Sequence, residues 1–409
     1  MVSGMAADKI ENGQDKMEKQ EPEDSPQPLL NERLSELVER PFEFGHHIDT
    51  LVNGDRIFPP MLQAISDAQE EICFETFIYW SGEIAVQFAT ALADAARRGV
   101  KVLVLLDWWG AHKMEQSLIA QMREAGVTVR YFNPLRWWQL DRMNYRTHRK
   151  ILVVDRKVAF TGGVGIAQEW LGDARSPDEW YDLHYRITGP VVRDLCEAFH
   201  EVWAEVVQQR AQSPDVNAPP PRTDQQTVAA QVMSSSPRRG SELIYLLFQH
   251  AINTATESLI IITAYFVPDD TTIASLIAAV ERGIRIDVMV PGPHTDSAVV
   301  RYSSISCWGK LLRAGVRIHI YQPTMLHAKA TIVDDNWVII GSANFDNRSF
   351  SLNDEVIVNV FSEEFAAQHR RIFAQNCERS VRCSYEQWQS RGFLSRCKEA
   401  MSNLVRKQL

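Results

Sequence analysis

The chain repeats itself, and this constrains its fold more than any other feature. Arg98-Gly99-Val100-Lys101-Val102 returns as Arg282-Gly283-Ile284-Arg285-Ile286, and Ala125-Gly126-Val127-Thr128-Val129 returns as Ala314-Gly315-Val316-Arg317-Ile318. Both copies are displaced by a little under half the chain, so the protein is built from two related halves. Each copy reads as an amphipathic helix, a glycine turn and a β-branched strand, with the glycine as a helix C-cap. The predicted strands of the first half are Ile72–Trp80, Lys101–Leu106, Val127–Phe132, Ile151–Asp155 and Val158–Thr161. Those of the second are Leu259–Val267, Arg285–Val290, Arg317–Tyr321, Ala330–Asp334 and Trp337–Gly341. Strands alternating with helices predict an α/β class, each half a mixed β-sheet flanked by helices.

The halves are separated by a polar stretch from Ala211 that contains Pro219-Pro220-Pro221. Residues 211–227 are therefore expected to be a linker, followed by a short edge strand near Val228–Ser234. Residues 1–30, rich in Glu, Lys, Gln, Asp and Pro, are expected to be a disordered tail. The expected lobes are then 31–210 and 228–380, with a basic segment at 381–409. In that segment Arg391, Arg396, Lys398, Arg406 and Lys407 alternate with Phe393, Leu394, Met401, Leu404 and Val405, which suits either a bilayer surface or a frayed tail.

The repeat ends, in each half, on a predicted hairpin that carries chemistry. The first reads His148-Arg149-Lys150, then Asp155, then Gly162-Gly163; the second reads His327-Ala328-Lys329, then Asp334, then Gly341-Ser342-Ala343-Asn344. On a strand, His and Lys two residues apart share a face, so each half presents an imidazole beside an ammonium. Facing each other, the halves build a phosphate site. One imidazole attacks phosphorus, and the other protonates the leaving alcohol and deprotonates the incoming one. The two lysines, Ser342 and Asn344 hold the non-bridging oxygens. The cations are already in place, so this chemistry calls for no metal or cofactor. Asp155 and Asp334 belong to the repeated set as turn residues that aim the His and Lys. Asp182, downstream of His148, and Glu355, downstream of His327, are candidates to hold the second ring nitrogens.

Composition narrows the alternatives. The 409 residues carry a net charge of −9, which argues against a nucleic-acid partner. No apolar run is long enough to span a bilayer; Val100–Leu106 breaks at Asp107, so membrane contact is expected to be peripheral. The six cysteines include no Cys-x-x-Cys pair, which gives zinc no support and fits a reducing compartment. Cys73 and Cys196 read as small buried hydrophobes, and the nine remaining histidines as surface or core residues. Before His148 the first half inserts a loop containing Arg136-Trp137-Trp138, a candidate membrane anchor or lid.

These paired motifs resemble the phospholipase D superfamily. Tyr265-Phe266-Val267-Pro268-Asp269, Val290-Pro291-Gly292, Gln322 to Lys329, Gly341 to Ser349 and Thr188 to Leu195 look like its bacterial cardiolipin synthase branch. The resemblance covers roughly residues 45 to 375. It implies a two-lobed monomer with a pseudo-twofold axis through the site, although the sequence itself says nothing of oligomeric state. It also implies a phosphatidyl-histidine intermediate on His148 with His327 as acid and base, a choice that motif symmetry leaves open. The implied reaction joins two phosphatidylglycerol molecules into cardiolipin with release of glycerol, at the cytoplasmic side of the cell membrane. A hydrolase or nuclease of the superfamily, use of another alcohol acceptor, and a non-catalytic phospholipid-binding protein remain alternatives. The first motif departs from the second, with Gly163 and Gly165 where the second has Ser342 and Asn344.

Overall fold

A computed structural model describes residues 40–134, 144–208, 227–237, 242–404 and 406. The expected tail, the Trp137-Trp138 loop and nearly all of the expected linker lie outside these residues. The first half runs β1 (Glu43–Val52), α1 (Gly54–Asp67), β2 (Glu71–Thr76), α2 (Glu83–Arg97), β3 (Lys101–Asp107), α3 (Gln116–Glu124) and β4 (Thr128–Phe132). It continues with β5 (Arg146–Thr147), β6 (Ile151–Val154), β7 (Val158–Gly162), β8 (Leu183–Thr188) and α4 (Val192–Val207). The second half runs β9 (Val228–Ser235), α5 (Leu243–Thr254), β10 (Ser258–Ile262), β11 (Phe266–Val267), α6 (Asp270–Glu281), β12 (Arg285–Pro291), α7 (Ala298–Ala314) and β13 (Arg317–Tyr321). Then come β14 (Ala330–Val333), β15 (Trp337–Gly341), β16 (Phe345–Asp346), α8 (Asn347–Ser351), β17 (Asn353–Phe361) and α9 (Glu363–Glu378). The chain closes with β18 (Ser380–Cys383), α10 (Tyr385–Gln389) and α11 (Phe393–Asn403).

The two halves are mirror copies in strand order. The first is β4-β3-β2-β6-β7-β8, the second β13-β12-β10-β14-β15-β17, and β1 and β9 join them into one continuous mixed sheet. The segment expected as an edge strand is thus the sheet's centre. β9 pairs with β17 from Ser235 opposite Glu355 to Ala229 opposite Phe361, and with β1 on its other side. Its side chains are buried at nearly every position, because both of its edges and both of its faces are covered. The repeated glycines behave as the pattern requires: Gly99 and Gly283 follow their helices at φ 96° and 94°, a region that disfavours any Cβ.

Strand alternation separates two helical layers. Ile72 and Phe74 of β2 pack with α1 and α2, whereas Cys73 between them faces α4. The core on that second side is common to both halves: Val153, Leu195 and Phe199 of the first cluster with Ile260, Val356 and Phe365 of the second. A core shared in this way makes docking of the lobes part of folding. The C-terminal segment is helical, not frayed: Asn403 and Lys398 of α11 bond to Ser306 and Tyr302 of α7.

Candidate active site

Each histidine precedes a central hairpin and is pinned by the opposite lobe. The His148 amide donates to the Asp354 carbonyl at 2.9 Å, and the His327 amide to the Tyr181 carbonyl at 2.7 Å. The side chains cross in the same sense. His148 Nδ1 lies 2.9 Å from Glu355 Oε1, and His327 Nδ1 lies 2.7 Å from Asp182 Oδ2. Both expected carboxylates therefore face histidines, but each faces the one on the other repeat. A carboxylate only accepts, so each Nδ1 carries the proton and each Nε2 is left for chemistry. Chain order gives no hint of the crossing, which follows from β5 of the first lobe pairing with β17 of the second and from Tyr181 bridging Leu326 between the lobes.

Both lysines are buried beside their histidines. Lys150 Nζ donates to the His148 carbonyl at 2.6 Å, and Lys329 Nζ lies 3.0 Å and 3.3 Å from the two ring nitrogens of His327. The four groups share one field. Burial, opposed by Glu355 and reinforced by Lys150, brings the His148 imidazolium down to about 4, and Lys329 of the other motif also contributes. Burial and Lys329 lower His327 against the pull of Asp182. Burial brings Lys150 to about 7 and Lys329 to about 8, each opposed by Glu355 and Asp182. Burial alone would raise Glu355, but His148, Lys150 and Ser342 hold it down to about 2. His327 and Lys329 outweigh burial in the same way at Asp182. The site thus concentrates cationic capacity, the arrangement that a phosphodiester would complete.

Asp155 and Asp334, counted with the catalytic set, keep only their expected turn role, and one further role changes. Asp155 and Asp334 do not reach the site. They sit at the far ends of the β6–β7 and β14–β15 hairpins, at φ 50°, and accept from the amides of Gln69, Glu70 and Glu71 and of Thr256, Glu257 and Ser258 respectively. Six residues, four of them the strand β6 or β14, separate each from its histidine, so they clamp the hairpin and touch no substrate. The further change is at Ser342. Its hydroxyl donates to Glu355 Oε2 and accepts from the Val356 amide, so it orients the carboxylate and has no proton left for phosphate. Asn344 is 2% exposed and its Oδ1, an acceptor, has no partner; any hold on a phosphate oxygen falls to its Nδ2 donor.

The departure at Gly163 and Gly165 has a steric cause. A Cβ on Gly163 would lie 2.1 Å from Asp182 Oδ1, and one on Gly165 would lie 2.7 Å from Ile78 Cβ and 3.1 Å from the Trp170 ring. The space admits Trp170, whose Nε1 donates to Asp182 Oδ2 at 2.8 Å. Trp170 therefore does for Asp182 what Ser342 does for Glu355.

Several site residues escaped sequence reasoning. Trp170 and Trp180 pack on the His327 ring at 5.1 Å and 5.4 Å, and Phe77 on His148 at 5.2 Å. Arg149, the middle residue of the first motif, is buried and donates to the carbonyls of Glu355, Ala198 and Ser235. Glu75 accepts from the Thr147 hydroxyl and Asp107 from the Thr147 amide, fixing the residue before His148. Burial pushes both acids up to about 7. A lone acid within a buried apolar strand, as in Leu105-Leu106-Asp107, was the available signal.

Comparison with known proteins agrees with this geometry. The domain model described as "Cardiolipin synthase, PLD-like domain" matches residues 61–203 and 248–377. A cardiolipin synthase of Geobacillus kaustophilus is 33% identical over 380 residues, covering 92% of this chain and 75% of that protein. Cardiolipin synthase A of Pseudomonas fluorescens is 35% identical, covering 82% and 69%. Among solved structures, phosphatidylserine synthase from Haemophilus influenzae superposes with a TM-score of 0.71 at 14% identity, covering 93% of this chain and all of that one, which shows a common fold.

Proposed function

Because this chain belongs to the cardiolipin synthase family of enzymes with phospholipase D-like domains, we propose that it transfers a phosphatidyl group from one phosphatidylglycerol to a second, forming cardiolipin and glycerol. The observation that carries the reading is the crossed pair of histidines, each with Nδ1 on a buried carboxylate and a buried lysine alongside. In the first step His148 Nε2 attacks phosphorus, the bond to the glycerol oxygen breaks, and His327 gives that oxygen its proton. The second phosphatidylglycerol then donates its hydroxyl proton to His327 and attacks phosphorus, and the P–N bond breaks. Lys150, Lys329 and Asn344 hold the non-bridging oxygens. The bound phosphodiester restores the protons that burial weakens, since an anion beside His327 and the two lysines favours their charged forms.

Substrate of this kind resides in a bilayer, and α11 offers the means of reaching it. Phe393, Leu394, Met401 and Leu404 are 79%, 77%, 71% and 86% exposed on one side of the helix, while Glu399 and Ser402 face inward. This apolar stripe, with exposed Arg396 and Lys398 beside it, suits an anionic lipid surface. Among the described residues no helix is long and apolar enough to cross a membrane. We assign the docked face to the cytoplasmic side, where six free thiols stay reduced.

Incubation with phosphatidylglycerol vesicles, followed by mass analysis, tests the reaction. Cardiolipin with equimolar glycerol is expected; phosphatidic acid as the main product would make the protein a hydrolase. His148→Ala and His327→Ala should each abolish turnover in a folded protein.

A further inference from the structure

Away from the histidine motifs, three soft ligands converge. Cys73 Sγ, Cys196 Sγ and a ring nitrogen of His200 all lie within 4.8 Å of one another. They come from two elements. Cys73 projects from β2 toward α4, and Cys196 and His200 stand four residues apart on α4, one above the other on one face. Cys73 Sγ is 3.7 Å from His200 Nε2. A tetrahedral zinc ion with Zn–S near 2.3 Å and Zn–N near 2.05 Å spans an S···N edge of about 3.6 Å, so the Cys73–His200 edge already stands at coordinating separation.

The surroundings fit a cation held by thiolates. Both cysteines are buried, and His200 at the rim is half-buried, which gives an entry path. Glu71 lies near enough for its negative charge to be felt at both thiols, and its partners Lys101 and Arg156 lie near as well. The cluster is peculiar to one lobe. The amides of Glu71 and Ser258 make the same hydrogen bond to their hairpin aspartates, so two residues further on Cys73 corresponds to Ile260, a plain core residue. The fold therefore has no need of a thiol at this place. No sequence spacing announces the site, because its third ligand lies on a strand far from the Cys-x-x-x-His of α4.

We propose that Cys73, Cys196 and His200 bind a thiophilic d10 cation, Zn²⁺ or Cu⁺, which clamps α4 onto β2. Binding converts two thiols into metal thiolates and releases two protons. The clamp bears on the candidate active site. Ala198, between the two α4 ligands, accepts from Arg149 Nη1 at 2.6 Å, and Arg149 adjoins His148. The metal thus stiffens the wall behind the first motif without touching substrate.

The full chain, reduced and stripped of metal, is titrated with Zn²⁺ and, anaerobically, with Cu⁺, then desalted and analysed for bound metal. One retained equivalent is expected, with proton release and a higher Tm. Thiolates favour Cu⁺ by affinity alone, so the native ion is the one found in the protein as isolated. Cys73→Ser and Cys196→Ser should lose the ion. His200→Gln, at a half-buried position, should bind at least ten-fold more weakly with an unchanged far-UV circular dichroism spectrum. Cys377→Ser, in the separate Cys377–His319 contact, should bind normally. The proposal falls if the wild-type protein retains neither ion, or if Cys196→Ser and His200→Gln retain it as tightly as wild type. It falls equally if the protein is isolated with a Cys73–Cys196 disulfide whose reduction confers no metal binding. None of these readouts depends on the lipid reaction.

Discussion

The crossed pairing of carboxylates and histidines makes a prediction that an uncrossed arrangement does not share. In Glu355→Gln the amide oxygen can still accept from His148 Nδ1, which lies 2.9 Å and 3.1 Å from the two carboxylate oxygens, so the ring keeps its tautomer and position. What is lost is the negative charge opposite a ring that turns cationic when its Nε2 bonds to phosphorus. A hydrogen bond to a charged group is worth about 1.5–3 kcal/mol against about 0.5–1.5 for a neutral one. The loss of Glu355 also removes the largest charge that opposes burial at Lys150. A barrier increase of about 1.5–3 kcal/mol, or roughly ten- to a hundred-fold in kcat, is expected. The assay is acid-quenched single turnover, with the phosphatidyl adduct located by mass on the His148 peptide. The decisive substrate is a phosphatidyl ester of an acidic phenol, whose departure needs no proton. With it Asp182→Asn, which acts chiefly on the acid His327, should form the adduct at close to the wild-type rate, while Glu355→Gln stays slow. The opposite pattern would refute the assignment of Glu355 to the nucleophile.

The remaining expectations concern stability and pH. Because burial lowers Lys150 from its ordinary 10.5 to about 7, the unfolded chain binds more protons between these values, so this lysine's destabilising effect fades as pH rises from 7 toward 10.5. Lys150→Met should therefore be at least as thermostable as wild type at pH 7 while losing turnover; a marked fall in Tm would contradict this. Glu355, held down to about 2, contributes stability above the usual carboxylate range that is lost as pH falls toward 2, and Glu355→Gln should flatten the acid limb of a Tm–pH profile. Asp155→Ala should leave three amides at the entry to β2 without their acceptor and reduce stability by about 1–3 kcal/mol in denaturant titration, with kcat at low temperature nearly unchanged. Gly163→Ser, despite matching the second motif, should lower Tm and turnover together, since its Cβ would meet Asp182 at 2.1 Å. Replacing Phe393 and Leu404 with serine should weaken sedimentation with anionic vesicles and leave Tm unaltered.

The sequence by itself determined the parts that depend on local periodicity. The repeat marks two lobes, the glycines after the helices mark where strands begin, and the spacing His-x-Lys puts two functional groups on one face. These features arise from interactions within a few residues, so they survive reading along one dimension. Position in the sheet is not of that kind. Val228–Ser234 looked like an edge because its neighbours in sequence are polar, yet it is central because β1 and β17, from distant segments, close on both of its sides. Trp170 was invisible for the same reason: only the space left by Gly163 and Gly165 brings its indole to Asp182. The partner of each histidine was likewise decided by tertiary structure alone. Glu355 lies nearer to His327 along the chain, but the pseudo-twofold axis sets β17 of one lobe against the motif of the other, and a hydrogen bond depends on distance through space.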